Sequence, residues 1–474
     1  MKIMRPSRCA ALLLMAAMLQ HHVAASEEPA PEPVTEESDT EAEGPETRFN
    51  AAMETWLYGT RIWLSGHNVL NAGNRLARIP GTQCLSDTRI NITAEYGPLN
   101  ILIQPRIVAQ KDDAGPQTDP QIRRQVSAFE KSTELTQANA RLKLGDHTVV
   151  LGRELMTWGP GNFRSPSNPF YYDSGRTSPL AATPGIDVLR YTYNMGAARI
   201  HAAHVFATDQ ITPTIDMRDS NLLKLDYQGD NYLLSVNAIR RPGYVDFLGG
   251  FAQYSPNDAW MLFGEFGTIK PVSSADLPRL GQIVKRVEDG LSQFGLFQQP
   301  PKSGASSILG AAYTLQSGHV ITAEWLHNSA GLTRDQQAAF FRQIELARTI
   351  PTALTQLPPP FNQLPFLNQI PALGQTISDA LVGVTLSQTP PLLGRDYLWF
   401  SVQSNVQETK QYWRAEWSQS MTDNSGRALL YAEKSFKSKF SAFVALSATT
   451  CGAKSDFGAF TKGTLTIGMK WFVF

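Results

Sequence analysis

The residues richest in chemistry lie between Leu151 and Arg190. Four arginines, Arg153, Arg164, Arg176 and Arg190, share this run with Glu154, Trp158 and Asp187. Glycines and prolines punctuate it at Gly152, Gly159-Pro160-Gly161, Pro166, Asn168-Pro169 and Pro184-Gly185. Guanidinium groups grip carboxylates and phosphates through paired hydrogen bonds. Brought together at an opening, the four would make an anion site. Paired with Glu154, Asp173 or Asp187, they would instead brace a stiff loop, and bracing is the preferred reading.

Other site chemistry has no pattern to support it. His67, His147, His201, His204, His319 and His327 lack a metal-binding spacing on one face, and strand alternation puts His201 and His204 on opposite sides. There is no Cys-x-x-Cys, phosphate-cradling glycine loop or nucleophile elbow. No catalytic residue, metal, cofactor or nucleic-acid partner is assigned, and an enzyme is disfavoured. Cys84 and Cys451 are expected to pair in an oxidising compartment, each in an external loop beside the barrel seam.

The elements that must position these residues alternate with period two. Arg89, Asn91, Thr93 and Glu95 oppose Ile90, Ile92, Ala94 and Tyr96. After Gly97-Pro98, Leu99, Ile101, Ile103 and Ile107 oppose Asn100, Gln104 and Arg106. Gln137, Asn139, Arg141 and Lys143 then oppose Ala138, Ala140, Leu142 and Leu144 before a Gly145-Asp146 turn. Further short turns fall at Asn194-Met-Gly196, Gln228 to Asn231, Ser255 to Asp258, Gln316-Ser-Gly318, Glu408 to Gln411 and Lys437-Ser-Lys439. The pattern predicts an all-β, transmembrane antiparallel β-barrel of about 18 strands, 16 being the alternative count, with both termini on one side. The first strand is expected over Thr55–Leu64. The last, Thr464 to Phe474, carries Leu465, Ile467, Met469 and Trp471 on its apolar face, and a bulge near its end would turn the final aromatics to lipid.

Strand parity predicts the pore lining: Arg89, Glu95, Arg106, Arg141, Lys143, Arg199, Lys224, Asp226, Glu324, Arg414 and Glu416. Opposite charges on facing walls would set up a transverse field. Two long loops, 269–305 and 329–395, are expected to narrow the pore as an apolar lid; mutual cover above the barrel is the second reading. The second loop holds a capping box, Thr333-Arg-Asp-Gln336, followed by Phe340, Phe341, Ile344 and Ala347 at helical spacing.

The ends of the chain complete the organisation. Residues 1–25 read as a signal peptide, with a basic start and a short apolar core. Residues 26–46 are acidic and Pro-rich and read as a disordered periplasmic tether that offers a periplasmic partner a handle. The barrel is residues 47–474. Nine of the 42 acids lie in the tether and three of the 42 bases in the leader, so the barrel carries about +6, which suits mild anion preference.

The run Gly152-Arg-Glu…Trp158-Gly-x-Gly161…Asn168-Pro169…Pro184-Gly-x-Asp187-x-Leu189-Arg190 resembles a group of porin-like bacterial outer-membrane proteins that carry Gln where Glu154 stands. The Trp-Gly-Pro-Gly turn is also similar, more weakly, to capsule-assembly surface lectin barrels. The resemblance implies a Gram-negative outer-membrane barrel in contact with outer-membrane lipid and lipopolysaccharide. The expected function is a porin: a channel for passive, selective passage of small solutes, anionic or amphipathic organic molecules among them. The alternative is a non-conducting surface barrel that binds polysaccharide or lipid.

Overall fold

Segments that alternate apolar and polar residues bury nothing as isolated strands. They become stable when each backbone ladder is closed by a neighbour and the two faces meet different surroundings. The computed structural model describes residues 47–66, 68–71, 74, 79–113, 132–171, 176–178, 180–207, 219–241, 245–269, 304–355, 392–405, 410–436 and 439–473. The expected leader and tether, and most of both long loops, lie outside the described residues.

Eighteen strands form one antiparallel sheet. They are β1 (Thr47–Leu64), β2 (Thr82–Tyr96), β3 (Leu99–Asp112), β4 (Ser132–Leu144), β5 (His147–Glu154), β6 (Ile186–Met195), β7 (Ala198–Ala207), β8 (Ser220–Gln228) and β9 (Tyr232–Arg241), continuing as β10 (Val245–Asn257), β11 (Trp260–Ile269), β12 (Gly304–Thr314), β13 (Val320–Asn328), β14 (Asp396–Gln403), β15 (Gln411–Ser420), β16 (Gly426–Ser435), β17 (Phe440–Thr449) and β18 (Thr461–Phe472). Each strand pairs with its sequence neighbours, and β1 also pairs with β18, so the barrel closes. The short turns sit at one end, where Gly97, Gly145 and Gly196 adopt φ of 53°, 57° and 61°.

The outer surface is an apolar band. Leu151, Leu189, Leu223, Leu309 and Ile467 are 56%, 44%, 57%, 59% and 60% exposed, while their alternate neighbours Val150, Val188, Leu222 and Ile308 are buried inside. An apolar surface this extensive suits lipid rather than water.

Two expectations about strands need correction. The first strand is 18 residues long, beginning at Thr47, because Thr47 to Ala52 pair with Tyr96 to Asn91 beyond the end of β18. The last strand keeps regular pairing through Phe472, opposite Glu54, and its irregularity lies instead at the far end of β1, between Trp63 and Leu64. Phe472 therefore shares the inner-face parity of Lys470 and Gly468.

Among the described residues one helix, α1 (Arg334–Thr355), rises from the loop after β13. Its capping box forms as expected: the Gln336 side chain accepts from the Thr333 N–H at 2.9 Å, and the Gln336 N–H donates to the Thr333 hydroxyl at 3.3 Å. Phe341 and Ile344 are buried against Val69 and Leu70 of the β1–β2 loop, Leu393, and Ala459 of the β17–β18 loop. The described part of the helix thus packs on neighbouring loops.

Candidate pore constriction

Strand parity puts all eleven expected lining residues on the inner face. Asp87, fully buried on β2, accepts from Arg106 at 2.8 and 3.0 Å and from Arg89 at 2.8 and 3.1 Å. Arg106 also reaches Glu134 at 3.4 Å, and Arg89 stacks 4.3 Å over Trp56. Farther round, Glu154 accepts from Arg190 at 2.6 and 2.8 Å and from Arg141 at 3.0 Å. Asp226 takes Lys224 on one oxygen and His201 at 3.1 Å on the other. On the remaining wall Arg414 pairs with Glu416 at 2.6 Å and Lys470 with Glu433 at 2.5 Å. Glu95 accepts from Asn100 at 3.1 Å beside the β2–β3 turn.

Within each wall these charges meet in short-range pairs, and Glu154 by itself faces two arginines, so positive charge is left in excess there. Lys143 and Arg199, both beside short turns, make no ion pair among the described residues; Arg199 donates to the neutral amide of Asn194 at 2.8 Å.

The Gly/Pro-rich run after β5 does not stay at the mouth. Residues 155–171, 176–178 and 180–185 fold inward and line the barrel with a second layer of chain. The segment braces itself first: Asn168 accepts the N–H groups of Phe170 and Tyr171 and donates to the Met156 carbonyl at 3.0 Å. The Trp158 indole donates to Ser167 O at 2.8 Å. Gly159 turns at φ 87°, a conformation that favours glycine.

Two carboxylates then hold the segment to the wall. Glu265 on β11 accepts from the Gly161 N–H at 2.5 Å, the Ser165 hydroxyl at 3.1 Å, and the Ser167 N–H and hydroxyl at 3.3 and 2.8 Å. Glu324 on β13 accepts from the Asn162 N–H and side-chain amide at 2.7 and 3.0 Å and from the Phe163 N–H at 2.9 Å. The loop N–H groups of Gly161, Asn162, Phe163 and Ser167 thereby find charged acceptors, the strongest class of such bonds.

Apolar contacts extend the attachment around the ring. Met156, Phe170 and Tyr171 pack with Val188, Val205, Leu222, Ile239 and Phe247 on β6 to β10. Phe163 is fully buried among Phe263, Ile308, Leu326, Tyr397 and Trp399 on β11 to β14. Leu180 reaches Trp56, Tyr431 and Phe443 on β1, β16 and β17. Gly267→Ala is expected to unseat this loop, because an added Cβ would stand 1.9 Å from the Pro166 carbonyl oxygen. Overpacking a closed contact costs ~1–3 kcal/mol, so the variant should melt at lower temperature in detergent; an unchanged melt would mean that the loop seat yields freely.

The four motif arginines do not converge. Arg153 binds Asp187 at 2.7 Å through both nitrogens on the outward-facing parity of β5 and β6. Arg190 binds Glu154 inside, so Glu154 accepts two arginines where the resembled proteins carry an amide. Arg164 stacks 4.7 Å over Phe163, and Arg176 donates to Gly161 O at 2.9 Å. Asp173 lies outside the described residues. Cys451 is a free thiol, its Sγ 3.6 Å from Asn424 O in the β15–β16 loop. Cys451 is thus not bonded to Cys84, and Cys84 lies within β2, opposite Gly59 and Lys111, rather than in an external loop.

Sequence reasoning named Glu324 as generic lining and missed Glu265. The available signal was the donor-rich stretch from Gly161 to Ser167, which offers several N–H and hydroxyl groups and holds no acid.

Beneath the bend at Trp158-Gly159, a cavity of about 340 Å³ opens toward the β6–β7 turn. Gly196 to Arg199, Lys224, Asp226, Gln228, Leu233, Phe251 and Gln253 complete its lining.

No protein-family model and no curated protein matches the sequence. Solved structures similar in fold include Pseudomonas aeruginosa OprD, 8% identical with a TM-score of 0.47 over 90% of this chain and 95% of that one. A mutant of the Rh. blastica porin is 11% identical, with a TM-score of 0.42 over 90% of this chain and all of the other, 100%. The 18-stranded barrel described above is shared with Acinetobacter baumannii OccAB1, 10% identical at a TM-score of 0.50 across 90% of this chain and 96% of that chain.

Proposed function

We propose that the protein is a bacterial outer-membrane porin that passes small solutes selectively and passively, with residues 155–185 as the constriction. The observation that carries this reading is the combination of a closed barrel, apolar outside and charged inside, with a loop fixed across its interior by Glu265 and Glu324. A packed soluble domain has no use for a belt of exposed leucine and isoleucine, nor for ion pairs lining its interior. The barrel fold shared with Acinetobacter baumannii OccAB1 agrees with an outer-membrane setting among lipid and lipopolysaccharide. Residues 1–25 would direct export, and the acidic segment 26–46 would remain in the periplasm for a partner.

Arg199 and Lys143, inner bases that make no ion pair among the described residues, favour small anions and amphipathic organic acids at the periplasmic end. Purified protein in a planar bilayer is expected to give steady single-channel openings and a reversal potential of anion-selective sign under a salt gradient. Arg199→Gln with Lys143→Gln should move that potential toward zero. A folded barrel that never conducts would instead support the non-conducting reading, in which the filled interior presents an external surface to polysaccharide or lipid.

A further inference from the structure

The cavity beneath the inward loop combines groups that together specify a ligand. Lys224 is buried, and its Nζ stands 5.8 Å from the ring centroids of both Trp158 and Phe251. Arg199, at the same cavity, carries its charge against a neutral amide only. The one acid in the lining, Asp226, has one oxygen on Lys224 and the other on His201. No carboxylate in the lining is therefore left to receive a ligand ammonium, and a zwitterion or an organic cation would be desolvated there without a partner. The volume, about 340 Å³, lies at the lower end of small-molecule sites, which run roughly 300–1,000 Å³.

We infer that this cavity is a binding station for a small organic monoanion with a flat apolar body, its anionic head at Arg199 and Lys224 and its body against Trp158 and Phe251. The inference rests on the channel reading for its physiological role, since the station would lie on the solute path just below the constriction. Trp158 is the hinge of the arrangement: its indole N–H is committed to Ser167 O, so the constriction loop itself fixes one wall of the station. Binding and narrowing are thereby built from the same segment.

The test uses the full folded chain in detergent and isothermal titration with phenylacetate, acetate and benzylammonium. Phenylacetate should bind saturably and about tenfold tighter than acetate, a step that corresponds to burying part of one ring. Benzylammonium should give no saturable heat. Phe251→Ala should weaken phenylacetate about tenfold and leave acetate unchanged; Arg199→Gln should weaken both by a similar factor. Phenylacetate binding no tighter than acetate, or unchanged in both variants, overturns the inference. Conductance of the same preparation separates the two readings. A conducting barrel without the phenylacetate site keeps the channel and loses the station; a silent barrel that binds phenylacetate keeps the station as a binding site and loses the channel.

Discussion

The double substitution Glu265→Ala, Glu324→Ala is expected to release the inward loop and to raise single-channel conductance about twofold or more with a noisier open level, because hydrogen bonds to charged acceptors contribute about 1.5–3 kcal/mol each. Seven bonds from residues 161–167 end on these two carboxylates. Removing the acceptors leaves buried N–H groups unsatisfied, so the loop gains by moving into water. The single changes Glu265→Gln and Glu324→Gln keep an acceptor oxygen and should act more weakly. Amide exchange over residues 159–168 gives a readout independent of current and should speed up in the double variant. If both conductance and exchange match the wild type, the apolar seats of Phe163 and Met156 hold the loop unaided.

Acidification from pH 7 to 4.5 is expected to tighten the loops over the mouth. Asp456, in the β17–β18 loop, is half-buried and accepts from the N–H groups of Leu393 and Gly394 and the Tyr397 hydroxyl. Burial, reinforced by the charge of Asp423, pushes its carboxyl up to about 6. An unfolded loop would titrate near the ordinary value of 3.8. The folded arrangement therefore holds a proton that the open one has lost between those values. Its stabilisation is fully present below pH 3.8 and disappears as pH rises through about 6. The span corresponds to ~3 kcal/mol at 1.36 kcal/mol per unit. Burial also works on Asp423, but hydrogen bonds from Ser425 and the Asp456 N–H outweigh it and hold its carboxyl low, so its own loss begins only at lower pH. Gln337 of α1 donates to Asp423 at 2.7 Å, Lys454 pairs with Glu345 at 2.6 Å, and Arg395 donates to Gly331 O at 2.9 Å. Hydrogen-exchange protection at residues 392–394 and 334–345, taken relative to the intrinsic rate at each pH, should rise on acidification, and Asp456→Asn should abolish that slope. A slope that persists in the variant would assign it to another group.

Much of the barrel was legible because its signal is local. Period-two alternation is written into each strand, so Arg141 and Lys143 could be placed inside, and Ala140 and Leu142 outside, without knowing any partner. The capping box at Thr333 was legible for the same reason: its two partners are three residues apart. The constriction was not. Gly161 and Glu265 are 104 residues apart, and Asn162 and Glu324 are 162 apart. Nothing near Gly161 names its acceptor, and an inward-facing glutamate on a strand looks the same whether it meets water or a loop. For the motif arginines, parity fixes Arg153 and Arg190 on opposite faces, Arg153 on Asp187 and Arg190 on Glu154.

The attachment of the inward loop also constrains the order in which the molecule can be made. Its chain is complete once β6 has followed β5, yet its carboxylate acceptors arrive on β11 and β13, and the aromatic seat of Leu180 needs β16 and β17 beside β1. A growing sheet that stops at β10 holds a loop whose donors still face water. The segment must therefore remain outside any lipid contact until the second half of the sheet curls round to meet it. Closure of β1 on β18 completes that seat, because Leu180 packs on Trp56 of β1 as well as on Tyr431 and Phe443 of β16 and β17. Neither the carboxylate pins nor the aromatic seat exists in a half-formed sheet, so seating of the loop and closure of the wall depend on the same late strands.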